Sequence, residues 1–277
     1  MKNNTMTYDF EDGVGPVPAH QHSRGRGWVA NTARVESSAY IGPNAKVFGN
    51  AWVFGNAWVY GTAEVYDNAV VYGHSTVYDN AKVFGNAQVY GNAWIYDNAW
   101  VCGTARVFGN AQVYGNTWVC GTARVYGTAV VYGNAVVYNN AWVFGNAVVR
   151  GNARVYGNAW VFGNAVVYGN AMVCGTARVF DGAKVCGNAV VYGNAKVCGN
   201  AKVLGNAVIG MRLDRFDAAI KENTMSDFIA EIRAVAGRIS DVDDHVTVHQ
   251  AADEIERLRE ALRGAKDYPD ELTAQYY

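Results

Sequence analysis

Proline is scarce: four residues in 277, with none between Pro43 and Pro269. A long stretch of chain therefore carries nothing that would remove an N–H from a backbone ladder. No apolar run approaches the roughly 18 residues that would span a bilayer as a helix. Charged residues make up only 17% and the net charge is −1, so bulk charge does not mark the chain as a polyanion binder. Histidine is also rare, and there is no Walker loop, no G-x-S-x-G and no paired-cysteine motif, which removes the common signatures of nucleotide, serine-hydrolase and zinc chemistry. The five cysteines are an odd number. All five (Cys102, Cys120, Cys174, Cys186, Cys198) stand at one position of a repeat, and they read as thiols filling that position in a reducing compartment. Cys102 and Cys120, 18 residues apart, are placed to stack as neighbours, and a disulfide between them is the alternative to free thiols. Met1 to Pro16 is polar and acidic without a signal-peptide pattern, so the expected location is the cytoplasm.

What the chain has in abundance is order. Valine or isoleucine recurs at every sixth position from Val29 to Ile209. The unit is V-[F/Y]-G-N-A-x, as in Val47-Phe48-Gly49-Asn50-Ala51-Trp52. Ala and Val, two apart, point to one side of an extended segment; x and the aromatic point to the other. Gly-Asn then supplies a bend, because both residues tolerate left-handed backbone. Strand and corner alternating every six residues describe a polygonal coil. Three such sides close a triangle narrow enough to be filled by Ala and Val. About ten coils follow, stacked at about 4.8 Å into a rod of roughly 48 Å. The expected organisation is a leader at 1–27 covering the first coil, the solenoid at 28–210 and a helical module at 211–277.

The charge is unevenly spread. Residues 41–209 hold ten Lys/Arg against five Asp/Glu, whereas residues 210–277 hold nine against fifteen. In the tail, Leu213, Phe216 and Ile220 have helical spacing, and Thr224 or Ser226 caps a second helical pattern. Val248, Ala251, Ile255, Leu258 and Leu262 form a seam of about two heptads. The module reads either as a cap on the last coil or as an oligomerising or partner-binding helical module, with Ile255, Leu258 and Leu262 as candidate self-association residues.

Residues 18 apart should stack into surface rows. One row runs Arg106, Arg124, Trp142, Trp160, Arg178, Lys196, and guanidinium and indole groups together on a flat wall suit a phosphate-bearing or acidic partner. Solvated charges that blunt aggregation are the plainer reading of the same row. A second row contains Val130, Val148 and Val166, and a third contains Val136 and Met172. These read as an apolar patch for self-association. The tyrosine and phenylalanine columns read as stacking between coils.

The stretch Ile41-Gly42-Pro43-Asn44-Ala45-Lys46-Val47 resembles the hexapeptide repeat of left-handed parallel β-helix proteins, the acyltransferase superfamily. The leader, Pro16-Val17-Pro18-Ala19-His20-Gln21-His22 followed by Gly27-Trp28-Val29, resembles hexapeptide proteins of phages and prophages described as acyltransferase-like. The resemblance covers about three quarters of the chain and is specific for fold rather than for function. It implies a left-handed all-β solenoid and a homotrimer. It also implies a catalytic histidine beside an acyl-donor loop, yet no loop interrupts the period. The one histidine of the rod, His74, sits beside Ser75 at a corner and is the sole candidate base. His20 and His22 have H-x-H spacing without a supporting carboxylate or cysteine cluster, and no metal or cofactor is expected. The expectation is therefore a non-catalytic, oligomeric phage-type scaffold. It would bind a host protein or a small anionic or nucleotide ligand, with specific nucleic-acid recognition disfavoured. The alternatives are a CoA-dependent acyltransferase and a structural spacer of a virion.

Overall fold

The computed structural model describes residues 6–210 and the backbone of Ala219–Ile220. The repeat forms a parallel β-solenoid of three walls, sheets of thirteen, ten and eleven strands. Two strands of the leader, β1 (Thr7–Tyr8) and β2 (Val17–Gln21), precede the first repeat strand, β3 (Trp28–Ala30). Every later strand from Arg34–Val35 to Val208–Ile209 has two residues, the x and Val of one unit. We call wall 1 the sheet that contains Trp28–Ala30, wall 2 the one beginning at Arg34–Val35 and wall 3 the one beginning at Tyr40–Ile41. Partners within a wall are 18 residues apart throughout the repeat, so Val125 pairs with Val143 and Val143 with Val161.

The coils are held by backbone bonds running down the rod. Trp142 N–H donates to Ala159 O at 2.9 Å and Phe144 N–H to Val161 O at 3.0 Å, and the pattern repeats on all three walls. The interior is the Ala/Val set, with side chains such as Ala51, Val53, Ala147 and Val149 at 0% exposure. Two polar residues replace an inward Ala. Ser75 is buried and its Oγ donates to Tyr72 O at 2.9 Å. Thr117 is equally buried, and its Oγ1 has no partner.

The corners explain the Gly-Asn pair. Gly115 has φ +78°, and a Cβ there would lie 2.7 Å from the carbonyl oxygen of Gly133 in the next coil. The corner asparagines form amide ladders, each Nδ2 donating to the next Oδ1. One runs from Asn80 to Asn206 at 2.9–3.1 Å through Asn98, Asn116, Asn134, Asn152, Asn170 and Asn188. The aromatics stack in columns. Phe54, Tyr72, Tyr90, Phe108, Tyr126, Phe144, Phe162 and Phe180 form one column of rings 4.8–4.9 Å apart.

The leader is an antiparallel addition to wall 1: β1 pairs with β2, and β2 with β3. Its Phe10 is buried and stacks on Phe48, at the head of an aromatic column. Arg24 and Gly27 also bond to the backbone of Ile41, so the leader reaches the first strand of wall 3.

Two sequence expectations change. Cys102 and Cys120 are joined by a disulfide rather than being free thiols. The coil register brings their Cα atoms to 4.6 Å, whereas Cys174 and Cys186 stack against tyrosines and remain thiols. Ile220, assigned to a helical pattern, lies in a strand: Ala219–Ile220 pairs in parallel with Lys202–Val203. The offset there is 17 residues instead of 18, so the wall takes one further rung after the repeat motif has ended. The chain divides into two units, Met1–Glu222 and Asn223–Tyr277. The rest of the expected helical module, including Ile255, Leu258 and Leu262, lies outside the described residues.

Candidate functional site

The rows expected from the 18-residue spacing are present in register. On wall 2, Arg106, Arg124, Trp142, Trp160, Arg178 and Lys196 are successive strand partners. Spacing alone did not show how the side chains meet. The guanidinium of Arg124 lies 4.7 Å from the centre of the Trp142 ring, and that of Arg178 lies 4.7 Å from Trp160. The two indoles stack on each other at 5.1 Å and 8°. The result is a continuous pile over four coils: cation, indole, indole, cation. Each indole has one face against a guanidinium and the other against its twin, so the pile presents ring edges more than open ring faces. Cation–π contact also fixes two flexible arginines, which lowers the entropy lost when their donors engage an anion.

The electrostatic setting favours the same wall. Its outward row, from Arg34 to Lys196, contains no carboxylate. Among the described residues the ion pairs belong to wall 1 and the leader: Lys82 with Glu64 at 2.9 Å, and Lys46 with Glu11 at 2.5 Å. The arginines of the pile are not neutralised in this way.

The proposed contact residues for self-association are less exposed than their apolar character suggested. Val130, Val148 and Val166 stack in register on wall 3, and Val136 and Met172 lie on wall 1 with Arg154 between them. All five are half-buried, because the coils above and below cover their flanks. The exposed large apolar groups of the rod are mainly indoles: Trp52, Trp58, Trp94 and Trp118.

His74 and Ser75 are neighbours in sequence and lie on opposite sides of the wall. His74 is exposed at a corner, while Ser75 points into the core and donates to Tyr72 O. The pair does not converge, because alternation along the strand sends adjacent side chains to opposite faces. His20 Nδ1 is bonded to Asn31 Oδ1 at 2.9 Å, and the buried His22 Nδ1 lies 3.1 Å from Arg24 O. Among the described residues no group of three or more His, Cys, Asp or Glu side chains comes together as a metal site.

Sequence reasoning missed a second feature. At the edge of wall 3 a groove of about 510 Å³ runs along the corner over Asp79, Asn80, Asp97, Asn98 and Asn116. The signal was present: Asp replaces Gly in two consecutive coils of one corner column, at Asp79 and Asp97. Beside the groove stand Tyr60, Tyr78, Tyr96 and Tyr114, stacked at 4.6–5.0 Å. Burial pushes these phenols upward, Tyr96 to about 12, with the neighbouring tyrosines and Asp97 adding to the effect.

Three stretches of the rod, residues 87–103, 105–121 and 153–169, match the family profile of the YdcK beta solenoid repeat. The walls, the 18-residue register and these matches together define a repeat β-solenoid scaffold. Comparison with curated proteins gives no match.

Proposed function

We propose that the chain is a non-catalytic binding scaffold whose wall 2 captures an anionic partner on the row Arg106, Arg124, Trp142, Trp160, Arg178 and Lys196. The observation that carries this reading is the cation–indole–indole–cation pile, which holds two guanidinium groups on a rigid wall with no carboxylate in the row. A row this regular suits an extended acidic surface or a phosphate-bearing chain. Base stacking contributes little, because the Trp142 and Trp160 faces are already occupied, and this favours an acidic protein surface over single-stranded nucleic acid.

In its concrete form the proposal is a cytoplasmic homotrimer of phage type that captures an acidic host protein, supported by the leader's resemblance to phage and prophage hexapeptide proteins. Self-association would use the half-buried rows at Val130, Val148, Val166, Val136 and Met172. An acyltransferase reading finds less support, since His74 and Ser75 face apart.

The test is binding of a fluorescent polyglutamate peptide and of inorganic polyphosphate, followed by anisotropy. The wild-type chain should bind at least one of them with strong salt dependence. Arg124→Glu with Arg178→Glu should weaken binding about tenfold or more, as expected for two charge reversals on a solvent-facing row. Absence of wild-type binding to both probes, or binding unchanged in the double variant, would overturn the proposal.

A further inference from the structure

Wall 3 differs from wall 2 in chemistry. Its outward row begins Tyr40, Trp58, Thr76, Trp94, Gln112, with no charged side chain among the five. Trp58 is 43% exposed and Trp94 47%, the latter tied with Trp118 as the most exposed indole of the rod. The small Thr76 separates them by one coil, so the two indoles are two coils apart, about 10 Å along the axis. Each stands edge-to-face with the tyrosine column beside it: Trp58 to Tyr60 at 81° and Trp94 to Tyr78 at 82°. Both rings are thus near-perpendicular to a tyrosine of the column, Trp58 to that of its own coil and Trp94 to that of the coil before. Arg24 of the leader lies 5.8 Å over Trp58 and Tyr40 packs against the same indole at 4.8 Å, so Trp58 is partly covered and offers a ligand only its exposed 43%, whereas the strip is open beyond Trp94.

The corner groove runs beside the same coils. Asp97 accepts from Gly115 N–H through Oδ2 at 3.0 Å, which fixes the carboxylate and leaves Oδ1 as an acceptor. Asn80 and Asn98 are held in the amide ladder by one N–H each, leaving the second N–H of each amide to donate outward. Aromatic side chains of wall 3, the fixed Asp97 carboxylate and the laddered amides of the adjoining corner thus run along the same coils.

We propose that this strip and groove form a binding site for an extended, neutral polysaccharide of β-1,4-linked pyranose units. Three observations argue for this occupant. The C–H face of a pyranose packs on an indole, and in a fully extended β-linked chain alternate rings advance by close to the Trp58–Trp94 spacing. Equatorial hydroxyls project from the ring edges, where the Asp97 carboxylate accepts from them and the Asn80 and Asn98 amides donate to them. Charge disfavours the competing polymers: the carboxylates of Asp79 and Asp97 repel polyuronate, sulfated chains and nucleic acid along the groove, and the one cation of the strip, Arg24, lies at its Trp58 end. The phenols beside them stay protonated well above neutral pH, held up by burial, and so add no negative charge. The site is separate from wall 2, and each proposal stands if the other fails.

The experiment is affinity electrophoresis and titration calorimetry with the full chain, using cellohexaose and chitohexaose as probes and maltohexaose as the curled comparator. The wild type should bind at least one of the β-linked probes, and the two arms show whether the ring carries a hydroxyl or an N-acetyl group. Trp58→Ala with Trp94→Ala should weaken binding by about tenfold or more, as expected for loss of the main aromatic contacts. Both indoles are surface groups, so an unchanged circular dichroism spectrum will show that the fold persists. Asp97→Asn, at a corner geometry that Asn139 also adopts, should weaken binding without affecting the rod. Trp52→Ala, which removes an exposed indole of wall 2, should leave sugar binding unchanged. No binding to either β-linked probe, binding unaffected by the double tryptophan variant, or equal binding of maltohexaose would overturn the proposal.

Discussion

At the scale of the residue, the interior shows how little freedom each position has. The inward corner position is Ala in nearly every unit, and Thr117 departs from it by burying a hydroxyl that finds no acceptor. A buried donor without a partner costs about 1–3 kcal/mol, more than its added methyl returns. Thr117→Ala should therefore raise stability by about 1 kcal/mol, because Ala99 and Ala135 in the adjoining coils show that the interior closes around the smaller group. A urea titration will measure this, and a midpoint lower than wild type would contradict it. Ser75 occupies the same kind of position and differs in one respect: its hydroxyl reaches Tyr72 O, so no comparable gain is expected from Ser75→Ala.

The element here is the column rather than the strand, since a two-residue strand has no stability of its own. Stacked rings and corner amides, repeated at the coil spacing, link each coil to the next as in other cross-strand ladders. The tyrosine columns also set an upper pH limit. Tyr66, Tyr96 and Tyr156 are pushed to about 12, the first two mainly by burial and Tyr156 mainly by its hydrogen bond with Cys174. A phenol with a raised value in the folded state loses its proton more readily once unfolded. The stabilisation is fully present below the ordinary tyrosine value near 10 and disappears as pH rises through about 12. Between those limits the urea midpoint should fall steadily. If Tyr66→Phe, Tyr96→Phe or Tyr156→Phe removes tyrosinate absorbance at the ordinary phenol value, with the fold intact, the raised values of these three phenols are contradicted.

For the whole molecule, a solenoid removes unpaired edges everywhere except at its ends. At the start of the rod the leader covers the edge of wall 1 by antiparallel pairing and bonds to the first strand of wall 3. A chain lacking residues 1–22 exposes the backbone groups of Trp28–Ala30 that β2 covers. Light scattering should then report a concentration-dependent mass above that of the full-length chain, and Phe10→Ala should show the same tendency more weakly because it loosens the cap without removing it. Equal masses for truncated and full-length chains at all concentrations would show that the leader does not protect the edge.

The sequence by itself determined the solenoid, its 18-residue register and the membership of every surface row, because a strict period leaves one way to stack identical units. It also identified the residues of the wall 2 row before their geometry was known. Only the tertiary structure decided how the rows behave, since contact depends on rotamers and on the neighbours one coil away. It stacked Arg124 and Arg178 on the ends of an indole pair, joined Cys102 to Cys120, and turned Ser75 away from His74. It half-buried the valine rows and set the Trp58–Trp94 strip beside the Asp79–Asp97 groove. Periodicity fixes which side chains are neighbours; packing decides which of their surfaces remain available to a partner.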